Sequence, residues 1–246
     1  MALSTRFKLS KKLQTALPRG RPFDSRELAK VGVSPALAYH YLKSGWLERL
    51  GRGVFMFPND TLRQEDCLKF LSHRIDGFHI GGKTALAWRG IRHNLPANEP
   101  LSLWGSQIAS LPAWFQTRFP SRYTARNPFS RLPKDFGLQP LPETPHGVFV
   151  SVPERALLEM LSGVGVNQGI EEARNIMEGA RSLRPDVLTT LLKNCQRVKV
   201  VRLCVSWAEE LNLPWAAFAR KAAGKRLGSG RWTSRLKDGT LLILER

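Results

Sequence analysis

The sequence predicts an α+β fold in two parts, a small helical domain with a β-hairpin over residues 1–60 and a mixed α/β domain over residues 61–246. Three observations carry the prediction. Within residues 22–58, two capped helical stretches flank a three-residue turn and lead into paired apolar strands around Gly51-Arg52-Gly53. From residue 77 to 150 the chain is rich in Gly and Pro, with short apolar pieces of strand length. Beyond residue 151 it changes to longer stretches of helical periodicity and closes on two apolar runs about Lys237-Asp238-Gly239.

The first element is a helix from residue 10 onward, along which Leu9, Leu13, Ala16 and Leu17 recur at helical spacing. Arg6, Lys8, Lys11 and Lys12 crowd its start. Cations there oppose the helix dipole, so Lys11 and Lys12 are either a solvated face or contacts to phosphate. Asp24 or Ser25 can N-cap a short helix through Lys30, which Val31-Gly32-Val33 breaks. Ser34 caps the next helix, with Pro35 at its first position, where the missing N–H costs nothing. Gly45 ends that helix where a left-handed residue is wanted. Residues 47–50 and 54–57 then form a hairpin whose glycines permit positive φ at its tip.

Helix, Gly-containing turn, helix and hairpin in this order read as a winged helix-turn-helix, whose second helix enters the major groove of duplex DNA. An advance of about 100° per residue puts Ala38, Tyr41 and Leu42 on the core side and Ala36, His40 and Lys43 on the outer side. Tyr39 falls at the margin of the outer face. A small residue beside an imidazole and a lysine suits base edges and phosphates, and arginines on a narrow hairpin can reach a phosphate or the minor groove. The expected DNA-binding set is therefore Ser34, Pro35, Ala36, Tyr39, His40, Lys43, Arg49 and Arg52, joined by Lys11 and Lys12.

Charge agrees with that expectation. The chain has a net charge of +18, spread as 11 Lys/Arg against 4 Asp/Glu in residues 1–60, 11 against 6 in 61–150 and 16 against 10 in 151–246. Because the excess is not confined to a tail, folded surface carries it, and a polyanion is the expected partner. Cys67, Cys195 and Cys204 stand in no metal-ligand spacing, which points to a reducing compartment and no structural zinc. The N-terminus is too polar for a signal-peptide core, and no apolar run approaches the ~20 residues of a membrane span. A cytoplasmic protein without a membrane partner is expected.

In the second domain, Asn59 or Asp60 should cap a helix through residue 71, and a small helix should span residues 82–89. Residues 101–104, 122–125 and 147–150 should be strands. Ser151-Val152-Pro153-Glu154 reads as a capping box opening a helix with Ala156, Leu157, Met160 and Leu161 as its stripe. Residues 169–180, 185–195 and 198–211 continue the helical pattern, a shorter piece begins near Pro214, and residues 231–236 and 240–244 form a hairpin.

Two other chemistries compete. Gly77-Phe78-His79-Ile80-Gly81-Gly82-Lys83-Thr84 matches the phosphate-loop pattern GxxxxGK[ST] and would belong to a nucleotide-using enzyme. Its context is against this: the residues before it are mostly polar, and Phe78, His79 and Ile80 look more like a short strand than a cradle for phosphates. No later apolar strand ends in an Asp suited to magnesium, so Gly81 and Gly82 are expected to make a strand-to-helix turn. The five histidines show no ligand pairing, and no cofactor, metal or catalytic residue is expected. Trp88, Trp104 and Trp114 lie close to Arg89, Arg118 and Arg122, an interleaving that an RNA-binding module would use to stack bases. Aromatics in a mixed domain are more often core.

Three stretches, GVSPALAYHYLKSGWLERLGRGVFMFP, His79-Ile80-Gly81-Gly82-Lys83-Thr84-Ala85-Leu86-Ala87 and Ser151-Val152-Pro153-Glu154-Arg155-Ala156-Leu157-Leu158-Glu159, resemble in order and spacing the AbiEi family of antitoxins. The resemblance covers nearly the whole chain. It implies a transcriptional autorepressor that binds double-stranded operator DNA at inverted repeats upstream of its own operon. It further implies a second domain that counters a cognate nucleotidyltransferase toxin, in a system of type IV, in which stable binding of toxin to antitoxin is not the rule.

Overall fold

The structure, a computed structural model, describes residues 13, 15–17, 19–93, 99–141, 147–228, 230–235, 239 and 241–244. These group into two compact units. One runs up to Arg74 and includes Leu111–Phe119 and Gly147; the other holds Ile75–Ser110, residues 120–141 and the chain from Val148 onward.

In the first unit, strand β1 (Phe23–Asp24) leads into helix α1 (Ser25–Lys30). Asp24 is the cap: its carboxylate accepts the N–H groups of Arg26 and Glu27, and the Glu27 carboxylate accepts the Asp24 N–H. Three donors are thereby satisfied at the start of a helix only six residues long. Gly32, at φ 88°, turns the chain, and Ser34 accepts the Leu37 N–H to open α2 (Pro35–Lys43). Strands β2 (Glu48–Gly51) and β3 (Val54–Met56) pair antiparallel, and β1 adds to the other side of β3. Leu13, Phe23, Leu28, Val33, Tyr41 and Phe55 meet in one apolar cluster that fixes α1 and α2 against the sheet. After the sheet comes α3 (Gln64–Ser72), whose Phe70 meets Trp114 edge-on with ring centroids 6.1 Å apart.

The chain continues through β4 (His79–Ile80), α4 (Gly82–Trp88), β5 (Leu101–Trp104), α5 (Ala113–Arg118), β6 (Ser121–Thr124), β7 (Leu138–Gln139) and β8 (Phe149–Ser151). The five strands among these form the sheet of the second unit, in the order β6-β5-β4-β8-β7. Its middle strand β4 runs antiparallel to β5 and parallel to β8. Among the described residues five α-helices follow, α6 (Pro153–Gly163), α7 (Ile170–Glu178), α8 (Pro185–Asn194), α9 (Val198–Glu210) and α10 (Ala216–Ala223). Helix α6 is the hub, with Glu154 through Leu161 all buried among α4, β8, α7, α8 and α9. The closing hairpin pairs β9 (Trp232–Arg235) with β10 (Leu241–Leu244), while Lys237 and Asp238 of its expected turn lie outside the described residues.

Two expected caps do not form. Asp60 accepts the Gly20 N–H and the Arg19 guanidinium instead, and α3 begins at Gln64 with no side-chain cap. Ser151 ends β8 and donates its hydroxyl to Glu159 Oε2 at 2.8 Å, Glu154 is taken by Arg184, and the residue at the N-cap of α6 is Val152. In both places a partner remote in the chain holds the side chain that spacing had assigned to its neighbour.

Candidate nucleic-acid interface

Ala38 and Tyr41 are buried under α2, which leaves Ser34, Pro35, Ala36, Tyr39, His40 and Lys43 exposed on its other faces. Tyr39 is 62% exposed, a high value for an aromatic ring, and Lys43 Nζ lies 5.7 Å from its centroid. That cation–π contact holds the ammonium beside the ring without neutralising it. Arg49 and Arg52 are exposed on the hairpin, where a bulge between Arg49 and Gly51 adds local twist. Arg52 sits between β2 and β3, next to Gly53 at φ 68°.

The charges of this unit are unevenly matched. Arg19, Arg21, Arg63 and Arg74 pair with Asp60, Glu27, Asp66 and Asp24. Among the described residues, Lys43, Arg49 and Arg52 have no such carboxylate, and Glu48 is an exposed acid on the same hairpin. A cleft of about 390 Å³ between α1, α2 and the hairpin brings Pro35, Tyr39 and Arg49 to one depression. Ser34, Ala36, His40, Lys43 and Arg52 do not line it, and Lys11 and Lys12 lie outside the described residues.

The phosphate-loop letters of the second unit have another use. His79 and Ile80 are strand β4, so the stretch that would have to curl around phosphates is extended, and Gly81-Gly82 makes the turn into α4. The place an anion would take at that turn is filled from within, because Glu159 Oε2 accepts the Gly82 N–H at 3.1 Å. Glu159, fully buried, also meets His79 Nε2 at 3.0 Å, Arg155 Nε at 2.8 Å and the Ser151 hydroxyl at 2.8 Å. Burial would raise its pKa, but His79 and Arg155 reverse the shift and hold it at about 2. Lys83 points its ammonium at Glu99 and Glu172. The turn at Gly81-Gly82 is the one expected from the sequence, whereas the only sequence signal for Glu159 is an acid on the apolar face of a helix.

Of the tryptophans near arginines, Trp104 and Trp114 are buried and Trp88 is 38% exposed. Arg89 donates to the Val150 and Ser151 carbonyls, Arg118 to that of Trp114 and Arg122 to that of Asn167. Two of the three rings thus belong to cores.

No helix among the described residues is long and apolar enough to cross a membrane. No curated protein matches the chain. The crystal structure of the RV2827C protein from Mycobacterium tuberculosis is similar in fold, with a TM-score of 0.59 at 15% identity over 89% of this chain and 82% of that one. Residues 6–97 match the N-terminal domain of AbiEi antitoxin transcriptional regulators, and residues 98–243 match the AbiEi antitoxin of type IV toxin–antitoxin systems. Together these matches span nearly the full length, and the chain therefore belongs to the AbiEi family of antitoxin transcriptional regulators of type IV systems.

Proposed function

We propose that this regulator is a winged helix-turn-helix autorepressor, which binds inverted repeats in its own promoter through the first unit and counters a cognate nucleotidyltransferase toxin through the second. The observation that carries the DNA reading is the set of uncompensated cations, Lys43, Arg49 and Arg52, on the exposed side of α2 and its hairpin. In this reading α2 lies in the major groove, with Ala36, Tyr39 and His40 against base edges and Ser34 and Pro35 at the end that enters first. Arg49 and Arg52 take phosphates or the minor groove beside it. Lys11 and Lys12 add phosphate contacts. The expected division of labour follows the sequence boundary near residue 60, and the protein acts in the cytoplasm without a catalytic step of its own.

The test uses full-length protein and a duplex carrying its promoter in a shift assay. Lys43→Ala, Arg49→Ala and Arg52→Ala should each weaken binding and reduce the log–log salt slope by about one unit. Tyr39→Ala and His40→Ala should change which base pairs matter, at about 1–3 kcal/mol for each contact read. If the five variants bind as the parent does, or if single-stranded RNA outcompetes the duplex, the reading fails.

A further inference from the structure

In the second unit, residues from α4, β5, β6, α6 and the start of α9 enclose a cavity of about 510 Å³. Small-molecule sites occupy roughly 300–1,000 Å³. Its charge is one-sided. Arg126, just beyond β6, and Arg197, at the N-cap of α9, both line it, and among the described residues neither guanidinium has a carboxylate or carbonyl partner. Arg122 lines it too and donates only to a neutral acceptor, the Asn167 carbonyl, at 2.8 Å. The acid in the wall, Glu159, is already committed to His79, Arg155, Ser151 and Gly82. Lys83 borders the cavity but is held by Glu99 and Glu172. Next to Arg197 on α9, Lys199 donates to the Val164 carbonyl, and its pKa is lowered by burial and by the Arg197 charge. Positive charge is therefore in excess around the mouth.

The rest of the lining is of a different kind. Met160 is buried in it, while Ile108 and Val166 line it although they are 95% and 59% exposed. Two aliphatic side chains facing water at the mouth of a cationic cavity ask for a ligand with an apolar part as well as an anionic one.

We propose that this cavity binds a nucleoside phosphate, with Arg122, Arg126 and Arg197 on the phosphates and Met160, Val166 and Ile108 against the base. A guanidinium presents a planar fork of donors that matches phosphate oxygens two at a time, and three of them offset a di- or triphosphate. The flat base supplies the apolar surface that an inorganic anion lacks. The Gly77–Thr84 pattern touches the cavity only through Gly82 and Lys83, and that lysine is neutralised by Glu99 and Glu172.

Calorimetric titration of the full-length protein with ATP, GTP, CTP and UTP in turn, and with pyrophosphate, tests this. At least one nucleotide should bind saturably and more tightly than pyrophosphate. Arg126→Ala and Arg197→Ala should each weaken it about tenfold, and Val166→Ser, which removes apolar surface without adding charge, should weaken the nucleotide and leave pyrophosphate unchanged. Among the described residues neither the Arg126 nor the Arg197 guanidinium holds another residue, so unchanged thermal unfolding of both variants will separate lost binding from lost fold. The proposal is overturned if no nucleotide saturates by about 1 mM, a weak limit for a specific site, or if the arginine variants bind normally. Nucleotide binding that survives the double variant Arg126→Ala, Arg197→Ala would overturn it as well. So would a single-stranded RNA held through Arg126 and Arg197 by a protein that ignores mononucleotides, or pyrophosphate binding as tightly as any nucleotide.

Discussion

Glu159→Gln changes one atom of a side chain and should unfold much of what it holds. Its carboxylate faces four donors: His79 Nε2 and Arg155 Nε on one oxygen, the Ser151 hydroxyl and the Gly82 N–H on the other. A carboxamide can accept on one side only, and its NH₂ must then face two groups that were donating. The Ser151 hydroxyl can rotate to accept, but neither Arg155 nor the Gly82 N–H can. If the amide nitrogen takes the Oε1 place, Arg155 keeps the carbonyls of Lys134 and Phe136 but loses its counter-ion while its side chain stays 5% exposed. Breaking one side of a buried ion pair costs about 3–5 kcal/mol. For a chain of this size each kcal/mol moves the midpoint by about 2–4 °C, so a fall of about 6–20 °C is expected. Guanidinium unfolding followed by tryptophan fluorescence reads the right region, since Trp88, Trp104, Trp207, Trp215 and Trp232 all belong to the second unit. Arg155→Leu should be costly alone, yet the double variant should lose much less than the sum, because the two sites share one interaction. A loss below about 1 kcal/mol for Glu159→Gln, or additive behaviour of the pair, would show that the network contributes little.

Gly81→Ala should be comparably harmful for a steric reason. Gly81 has an ordinary φ of −135°, but a Cβ there would stand 2.3 Å from Glu159 Oε2 and 2.6 Å from Trp104 Cδ1, so a loss of about 1–3 kcal/mol is expected in the same unfolding assay. Parent-like stability would mean that the packing around Glu159 yields easily. Acid should undo the same network: His79 and Arg155 hold Glu159 near 2, and Arg184 holds Glu154 low, both against burial that would raise them. Because these folded values lie below the ordinary carboxylate value of about 4.3, their stabilisation is complete at neutral pH and is lost as pH falls from about 4.5 toward 2. Denaturation midpoints at pH 7 and 5 should therefore agree while that at pH 3 drops, and equal midpoints at pH 7 and 3 would count against both pairs.

The helices and hairpin of the first unit could be read in advance because their signals are local. Asp24 and Ser34 cap the helices that begin beside them, Gly32 and Gly45 take the positive φ their turns need, and the buried and exposed sides of α2 follow from helix period alone. The outward residues of α2 were legible for the same reason, whereas which of them share a depression with Arg49 depends on how the hairpin folds back, which no period encodes. In the second unit the deciding contacts are remote. Strands β4 and β7 have two residues each, too few to print a period, and Arg122, Arg126 and Arg197 reach one cavity from two separate stretches of chain.

The same remoteness explains the misleading phosphate-loop letters. A phosphate loop needs small residues so that backbone N–H groups can approach an anion. This chain needs one at Gly81 for a closely related purpose, since the anion that approaches is its own Glu159, delivered to the Gly82 N–H from 77 residues further along, while Gly82 itself is required by its φ of 53°. The two short motifs that carry the family resemblance in this unit, 79–87 and 151–159, are thus two halves of one buried network. His79 and Gly82 come from the first, and Ser151, Arg155 and Glu159 from the second. Each half looks weak because its partner is missing from view. Their joint occurrence is informative because a strand-to-helix turn built around an internal carboxylate requires both.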